Sequence, residues 1–98
     1  MDKILQMYEL IGEMIQAAEK RDRKKVFELD SVYDTLAEEA FSGPLADNRP
    51  KFDYCKQYCD WAVSQGYEEY HDGFVSHARE NHAKLPSFSD KKDLCLRL

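Results

Sequence analysis

The chain has few of the residues that break regular structure or build a covalent framework. Its 98 residues include four glycines, three prolines and three cysteines. So few turn-forming residues exclude a many-turned β-sandwich and favour long helices. The cysteine count is odd, and Cys55 and Cys59 are four positions apart. On a helix this spacing holds their Cβ atoms about 5–6 Å apart, too far for an unstrained disulfide, so we expect reduced thiols.

Long apolar runs are also missing from the sequence. No stretch approaches the roughly 20 apolar residues that a membrane-spanning helix requires, and the N-terminal residues lack the apolar region of a signal peptide. We therefore expect a soluble, cytoplasmic protein without a membrane partner. With 43% hydrophobic and 34% charged residues, the chain is too apolar for a disordered protein and long enough for one folded domain.

Positive charge is in short supply, since the formal net charge is −5. The one dense basic cluster, at 20–25, is interrupted by Asp22 and flanked by acidic segments, and we interpret it as a solvated turn between helices. We do not expect direct binding of nucleic acid, because phosphates repel an acidic chain. One alternative function follows from the acidic helix faces, which would let the chain imitate nucleic acid and block a nucleic-acid-binding protein.

Apolar residues recur at helical spacing in the N-terminal half. The pattern predicts a first helix over 3–20 and a second over 23–41, with Asp22 as the N-cap of the second. The short turn between two complementary apolar stripes predicts an antiparallel helical hairpin. Phe27 and Phe41 lie outside the second stripe and need another partner. That stripe comprises Val26, Leu29, Val32, Tyr33, Leu36, Ala37 and Ala40.

The C-terminal half predicts a loop and two further helices. Residues 42–50 contain two prolines and a glycine, which indicates a loop. A third helix is predicted over 51–65, with Gly66 placed to end it. A fourth is predicted over 67–84, and the Asp-Gly pair at 72–73 indicates that this helix starts late or bends there.

The predicted fold class is therefore all-α, a small helical bundle in a single domain spanning 1–98. It consists of a hairpin at 1–41, a loop at 42–50, two aromatic-rich helices within 51–84 and a tail at 85–98. The tail pattern fits either a short helix or a strand.

Aromatic residues concentrate in the third and fourth helices. Seven of the twelve aromatic residues fall within 23 positions, more than a two-layer core requires. Tyrosine and tryptophan often anchor protein interfaces, because they join an apolar body to a polar tip. The predicted partner-binding residues are Tyr54, Tyr58, Trp61, Tyr67 and Tyr70, with Leu94, Leu96 and Leu98 of the tail as a second contact.

These features predict a non-enzymatic interaction module, such as an adaptor, inhibitor or chaperone, whose partner is another protein or a second copy of the chain. The sequence has no glycine-rich phosphate loop and no turn that displays a nucleophile. Neighbouring acids such as Glu38 and Glu39 diverge by about 100° on a helix, which does not suit an acid/base pair. We therefore expect neither catalytic residues nor a cofactor.

A zinc-stabilised module is the other alternative. The spacing Cys55-x3-Cys59-x11-His71-x5-His77 lies close to that of a two-cysteine, two-histidine zinc site. Zinc fingers of this kind place the cysteines on a β-hairpin, whereas here both fall in a helical pattern. We therefore predict two small buried cysteines, three partly exposed histidines and no metal, and keep the four residues as alternative ligands.

The N-terminal half of the chain also resembles known proteins in its pattern of apolar and charged residues. The stretch from Tyr8 to Phe41 resembles in its pattern the helical hairpins of small bacterial export chaperones. With the preceding residue, Met7, its sequence is MYELIGEMIQAAEKRDRKKVFELDSVYDTLAEEAF. The likeness consists of two amphipathic helices and a charged turn. Because many antiparallel hairpins share that pattern, we assign no family from it.

Overall fold

Four α-helices make up most of the part of the chain that the structure describes. The computed structural model describes residues 3–64 and 68–85, and all regular structure within those ranges is helical, as the predicted all-α bundle requires. None of these helices combines the length and apolar character needed to cross a membrane. The α-helices are α1 (Lys3–Glu19), α2 (Arg23–Ala40), α3 (Arg49–Val63) and α4 (His71–Lys84), accompanied by 3-10 helices at Gly43–Asn48 and Glu68–Tyr70.

A three-residue turn joins α1 to α2 without a glycine. Arg21 takes the left-handed conformation, with φ 58°. Its amide donates to the Ala18 carbonyl at 3.0 Å, and the Asp22 amide donates to Ala17 at 2.9 Å, the two bonds of a Schellman motif. The Asp22 carboxylate then accepts the Lys25 amide at 3.1 Å. The predicted N-cap of α2 is therefore confirmed.

The second half departs from the predicted boundaries. The loop prediction for 42–50 is wrong in part, since a 3-10 helix occupies Gly43–Asn48 and α3 begins at Arg49. α4 begins at His71 rather than at 67, so the Asp-Gly pair lies in its first turn. The prediction that the Asp-Gly pair makes the fourth helix start late is confirmed. Gly66 and Tyr67 lie outside the described residues.

One hydrophobic cluster, with residues from all four helices, forms the core. Phe41, which needed a partner, packs on Phe52 with ring centroids 5.0 Å apart. Phe27 stays 38% exposed, beneath the Arg23 guanidinium. The prediction that Val32 faces the core is wrong, because it is 52% exposed. The largest fully buried side chains are Tyr33, Phe52, Met7, Ile11, Met14, Leu85, Val26, Cys55 and Cys59.

Two histidines fasten α4 to α1. The prediction of partly exposed histidines is wrong for His71, which is 4% exposed. Its Nε2 atom lies 2.6 Å from the carbonyl oxygen of Ala18. His82 stacks on the Tyr8 ring at 4.1 Å, and its Nε2 atom lies 3.0 Å from the Tyr8 carbonyl oxygen. Because a carbonyl only accepts, both Nε2 atoms carry the donated proton. These bonds set how α4 lies on α1 at both of its ends.

Candidate functional site

Three aromatic side chains line one side of α3. Tyr54, Tyr58 and Trp61 are spaced i, i+4 and i+7, so they follow one another along the helix surface. The rings of Tyr54 and Tyr58 meet edge to face at 4.9 Å, and those of Tyr58 and Trp61 at 5.3 Å. The hydroxyl oxygens of Tyr54 and Tyr58 lie 3.0 Å apart, within hydrogen-bonding distance.

A matching row, which begins at the end of the 3-10 helix Glu68–Tyr70 and continues along α4, completes the arrangement. Tyr70, Phe74 and His77 repeat the same spacing, and Phe74 packs against both Tyr70 and Trp61 at 6.0 and 5.5 Å. His77 stacks on Tyr58 at 5.2 Å with an interplanar angle of 26°. The six rings form one continuous layer across both helices. We call this layer the aromatic surface: Tyr54, Tyr58, Trp61, Tyr70, Phe74 and His77.

The aromatic surface is open to solvent on its outer side, while Tyr58 and Phe74 also pack against the core. Tyr54 is 47% exposed and Tyr70 is 56% exposed, while Tyr58 and Trp61 are partly exposed. The opposite side of α3 buries Phe52 and both of its cysteines. The broad apolar arc of this helix therefore serves two faces, one in the core and one on the outside.

Four of the predicted partner-binding residues are thus brought together, namely Tyr54, Tyr58, Trp61 and Tyr70. The others, Tyr67, Leu94, Leu96 and Leu98, lie outside the described residues. The prediction missed the roles of Phe74 and His77 in this surface. Their spacing from Tyr70 repeats that of the α3 row, and this repetition was the available signal.

Tyr58 keeps its phenolic proton under ordinary conditions. The hydrogen bond to Tyr54, together with slight burial, raises the pKa of Tyr58. The Tyr58 hydroxyl therefore remains neutral, and phenolic hydroxyls both donate and accept hydrogen bonds. They give the exposed rings a polar tip suited to a partner's backbone or side-chain polar groups.

The four alternative zinc ligands point to different places. Cys55 and Cys59 lie in the core as free thiols. Burial raises the pKa of Cys55 to about 12 and raises that of Cys59 as well, which keeps both thiols protonated. His71 binds the Ala18 carbonyl, while His77 belongs to the aromatic surface. Within 3–64 and 68–85, no three His, Cys, Asp or Glu residues gather as a metal site.

A second polar feature lies between α2 and α3. Lys56 Nζ is 3.1 Å from Asp60 Oδ2 and 3.6 Å from Asp30 Oδ1. The Oδ1 atoms of both aspartates are buried without a hydrogen-bond partner. Burial, followed by the nearby carboxyl group and charge of Asp60, raises the pKa of Asp30 to about 8, against the opposing effect of Lys56. Asp30 therefore holds a proton at neutral pH.

Beside this cluster, Tyr33 crosses from α2 to α3. Its buried hydroxyl donates to Asp53 Oδ1 at 2.5 Å, and Arg49 lies 3.4 Å from the other carboxylate oxygen. Burial and then the bond to Asp53 raise the pKa of Tyr33. These groups satisfy one another, so we assign them to the packing of α2 on α3.

A cavity of about 350 Å³ opens next to the aromatic surface, between the start of α3 and the end of α4. Its lining is mainly apolar, and Tyr54 belongs both to the cavity and to the aromatic surface. The aromatic surface and the cavity are therefore continuous. The lining residues are Pro50, Lys51, Tyr54, Asn81, Lys84 and Leu85.

Comparison of the chain with protein-family models, with curated proteins and with solved structures finds no match to any of them. The function of the chain therefore has to be inferred from the site itself.

Proposed function

We propose that this chain is a non-enzymatic protein-binding module that holds a partner protein on its aromatic surface. The observation that carries the proposal is the continuous layer of six rings on α3 and α4, in which Tyr54 and Tyr70 are about half exposed. The exposed parts of these rings bury no area in the chain's own core. A partner that covers them would gain their apolar area.

The chemistry of these side chains supports the same function. Tyrosine and tryptophan supply large, rigid contact areas at low cost in conformational entropy. Two packed helices carry the rings, so the surface is already organised before binding, which reduces the ordering cost of association. A preformed surface of this kind would serve an adaptor, an inhibitor or a chaperone.

The state of the thiols also favours binding over catalysis. A nucleophilic cysteine acts as a thiolate in a partly exposed, electropositive environment. Cys55 and Cys59 are buried, and burial raises their pKa values. Neither described thiol has the properties of a nucleophile.

The direct test compares a partly exposed and an exposed aromatic residue on different faces. Trp61→Ala lies within the aromatic surface, whereas Phe27→Ala removes an exposed ring from α2, away from it. We expect affinity-purified partner, quantified by mass spectrometry, to bind Trp61→Ala at least tenfold more weakly, a loss of about 1.4 kcal/mol that is ordinary for an interface anchor. Phe27→Ala should bind normally, and circular dichroism should show unchanged helicity in both variants.

Equal capture by wild type, Trp61→Ala and Tyr70→Ala would refute the proposal. Light scattering of the purified chain distinguishes a foreign partner from a second copy. If the partner is a second copy, the wild type should be dimeric and Trp61→Ala monomeric.

The leucines of the tail remain a predicted second contact. Deleting residues 94–98 removes Leu94, Leu96 and Leu98 together, and we expect partner capture to weaken while helicity persists. Unchanged capture by this deletion would restrict the binding site to the aromatic surface.

A further inference from the structure

We infer that the cavity beside Tyr54 receives an apolar side chain of an acidic partner segment, whose carboxylates meet Lys51 and Lys84. The inference rests on the proposed function, because it describes the partner that the aromatic surface holds. It adds the chemical class of that partner and the point at which its segment is anchored.

The size and lining of the cavity define the apolar half of the ligand. About 350 Å³ lies near the lower end of the range for ligand pockets, which suits one large side chain rather than a whole cofactor. Pro50, Tyr54 and Leu85 supply apolar walls. Leucine, phenylalanine and tryptophan are side chains that would fill this space and bury their area against those walls.

Two lysines define the charged half. Lys51 and Lys84 both line the cavity and are exposed. In the described part of the chain neither forms an ion pair, whereas Lys3, Lys56 and Arg49 each pair with a carboxylate. In a chain of net charge −5, two unpaired ammonium groups at an apolar opening make a local site for anions. Complementary charge at such a rim selects and orients a partner.

The continuity of the two features favours an extended segment over an isolated small molecule. Tyr54 forms one wall of the cavity and one end of the aromatic surface. A peptide anchored in the cavity would therefore continue over Tyr58 and toward Trp61 without leaving the surface.

The chain's own C-terminal segment is a poor electrostatic match for this cavity. Residues 86–98 follow directly after Leu85 and contain three leucines. Their side chains hold two carboxylates, Asp90 and Asp93, against three cations, Lys91, Lys92 and Arg97. Side chains with a surplus of positive charge do not complement two lysines.

The test uses the full chain as bait for random 12-residue peptides displayed on phage. We expect the enriched peptides to carry leucine, phenylalanine or tryptophan flanked by aspartate or glutamate. A synthetic peptide of the enriched sequence should bind the Lys51→Glu/Lys84→Glu double variant at least tenfold more weakly than the wild type, a tenfold change being about 1.4 kcal/mol. Its affinity for the wild type should also fall as salt rises.

A matched control separates local charge from net charge. Lys24→Glu/Lys25→Glu changes the total charge by the same amount at the start of α2, away from the cavity. This variant should bind the synthetic peptide like the wild type. Equal weakening by both double variants would overturn the inference, as would enrichment of basic or uncharged peptides, or of none.

One further outcome identifies a different occupant. Enrichment only with the Leu94→Ser/Leu96→Ser/Leu98→Ser variant would mean that the tail fills the cavity, and would overturn the inference. Weaker capture of the native partner by Trp61→Ala, with normal capture by Lys51→Glu/Lys84→Glu, would leave the proposed function standing and remove the inference. Normal capture of the native partner by Trp61→Ala, with weaker capture by Lys51→Glu/Lys84→Glu, would support an acidic partner segment and refute the aromatic surface as the binding site.

Discussion

Asp30 and Asp60 approach each other from α2 and α3, with the Lys56 ammonium close to both. One ammonium cannot compensate two carboxylates held in a partly buried place, so a proton on Asp30 completes the charge balance. The packing of α2 on α3 therefore depends on the proton of Asp30 as well as on side-chain contacts.

This proton makes stability depend on pH. The pKa of Asp30 is about 8 in the folded chain against an ordinary 3.8, so the folded state binds the proton more tightly. The contribution of Asp30 is fully present below about pH 4 and is lost as the pH rises through 8. Melting followed by circular dichroism from pH 5 to 9 should show this decline in the wild type.

Asp30→Asn cannot lose a proton and should decline less. At pH 8.5 we expect it to melt about 4 °C or more above the wild type, the shift that roughly 1 kcal/mol produces in a domain of this size. Asp34→Asn removes the same charge from an exposed position on α2 and should keep the wild-type slope. Parallel curves for wild type and Asp30→Asn would contradict the assignment.

The Tyr33 hydroxyl gives a second prediction for a single residue. Tyr33 is 1% exposed and donates to Asp53. Tyr33→Phe should lower the free energy of unfolding in urea by about 1.5–3 kcal/mol, as for a bond to a charged group. Tyr54→Phe removes the hydroxyl of an exposed tyrosine and should cost less than about 0.5 kcal/mol. Equal costs would mean that the Tyr33 bond does not stabilise the fold.

At this scale the sequence predicts some contacts and not others. Tyr54, Tyr58 and Trp61 could be grouped because helical spacing alone places them on one side of α3. The pairing of His71 with Ala18 joins positions 53 residues apart. Asp30 and Asp60 are likewise distant in the chain. Such pairs depend on how the helices pack, which periodicity does not specify.

Among the helices, α2 offers a prediction about how an element begins. The Asp22 carboxylate caps the Lys25 amide. Asp22→Ala should lower the free energy of unfolding by about 1 kcal/mol, because an N-terminal amide then loses its acceptor. Asp22→Asn retains an acceptor and should stay within a few tenths of a kcal/mol of the wild type. Urea denaturation measures both, and an equal loss in the two variants would mean that charge rather than capping matters.

Periodicity located the elements better than it located their ends. The bounds predicted for α1 and α2 agree with the structure to within one residue, because their apolar stripes and the cap at Asp22 are distinct. The turn at 20–22 uses Arg21 at positive φ, for which an arginine gives no sequence signal. The prolines in 42–50 correctly indicated that the α-helical pattern is interrupted after α2. The backbone amides there are satisfied by a 3-10 helix instead of a loop, an arrangement that proline also permits. Val32 fits the α2 stripe but lies at its edge, where the neighbouring helices do not reach.

For the molecule as a whole, the single core predicts cooperative unfolding. All four helices contribute to one hydrophobic cluster, and Cys55 and Cys59 lie fully inside it. In a Cys95→Ser variant, labelling of these two thiols should begin at the urea concentration at which helicity is lost. Labelling well before the loss of circular dichroism would instead show that α3 separates from the rest first.

The position of Trp61 has an optical consequence. It is the chain's only tryptophan, and it lies on the aromatic surface, partly exposed and in contact with Tyr58 and Phe74. Its emission wavelength therefore reports how far water reaches this surface, and not how far water reaches the core. A molecule that covers the six rings should shift the emission to the blue without any label, while the circular dichroism stays constant. Trp61 thus serves as an intrinsic fluorescent probe for any molecule that binds the aromatic surface.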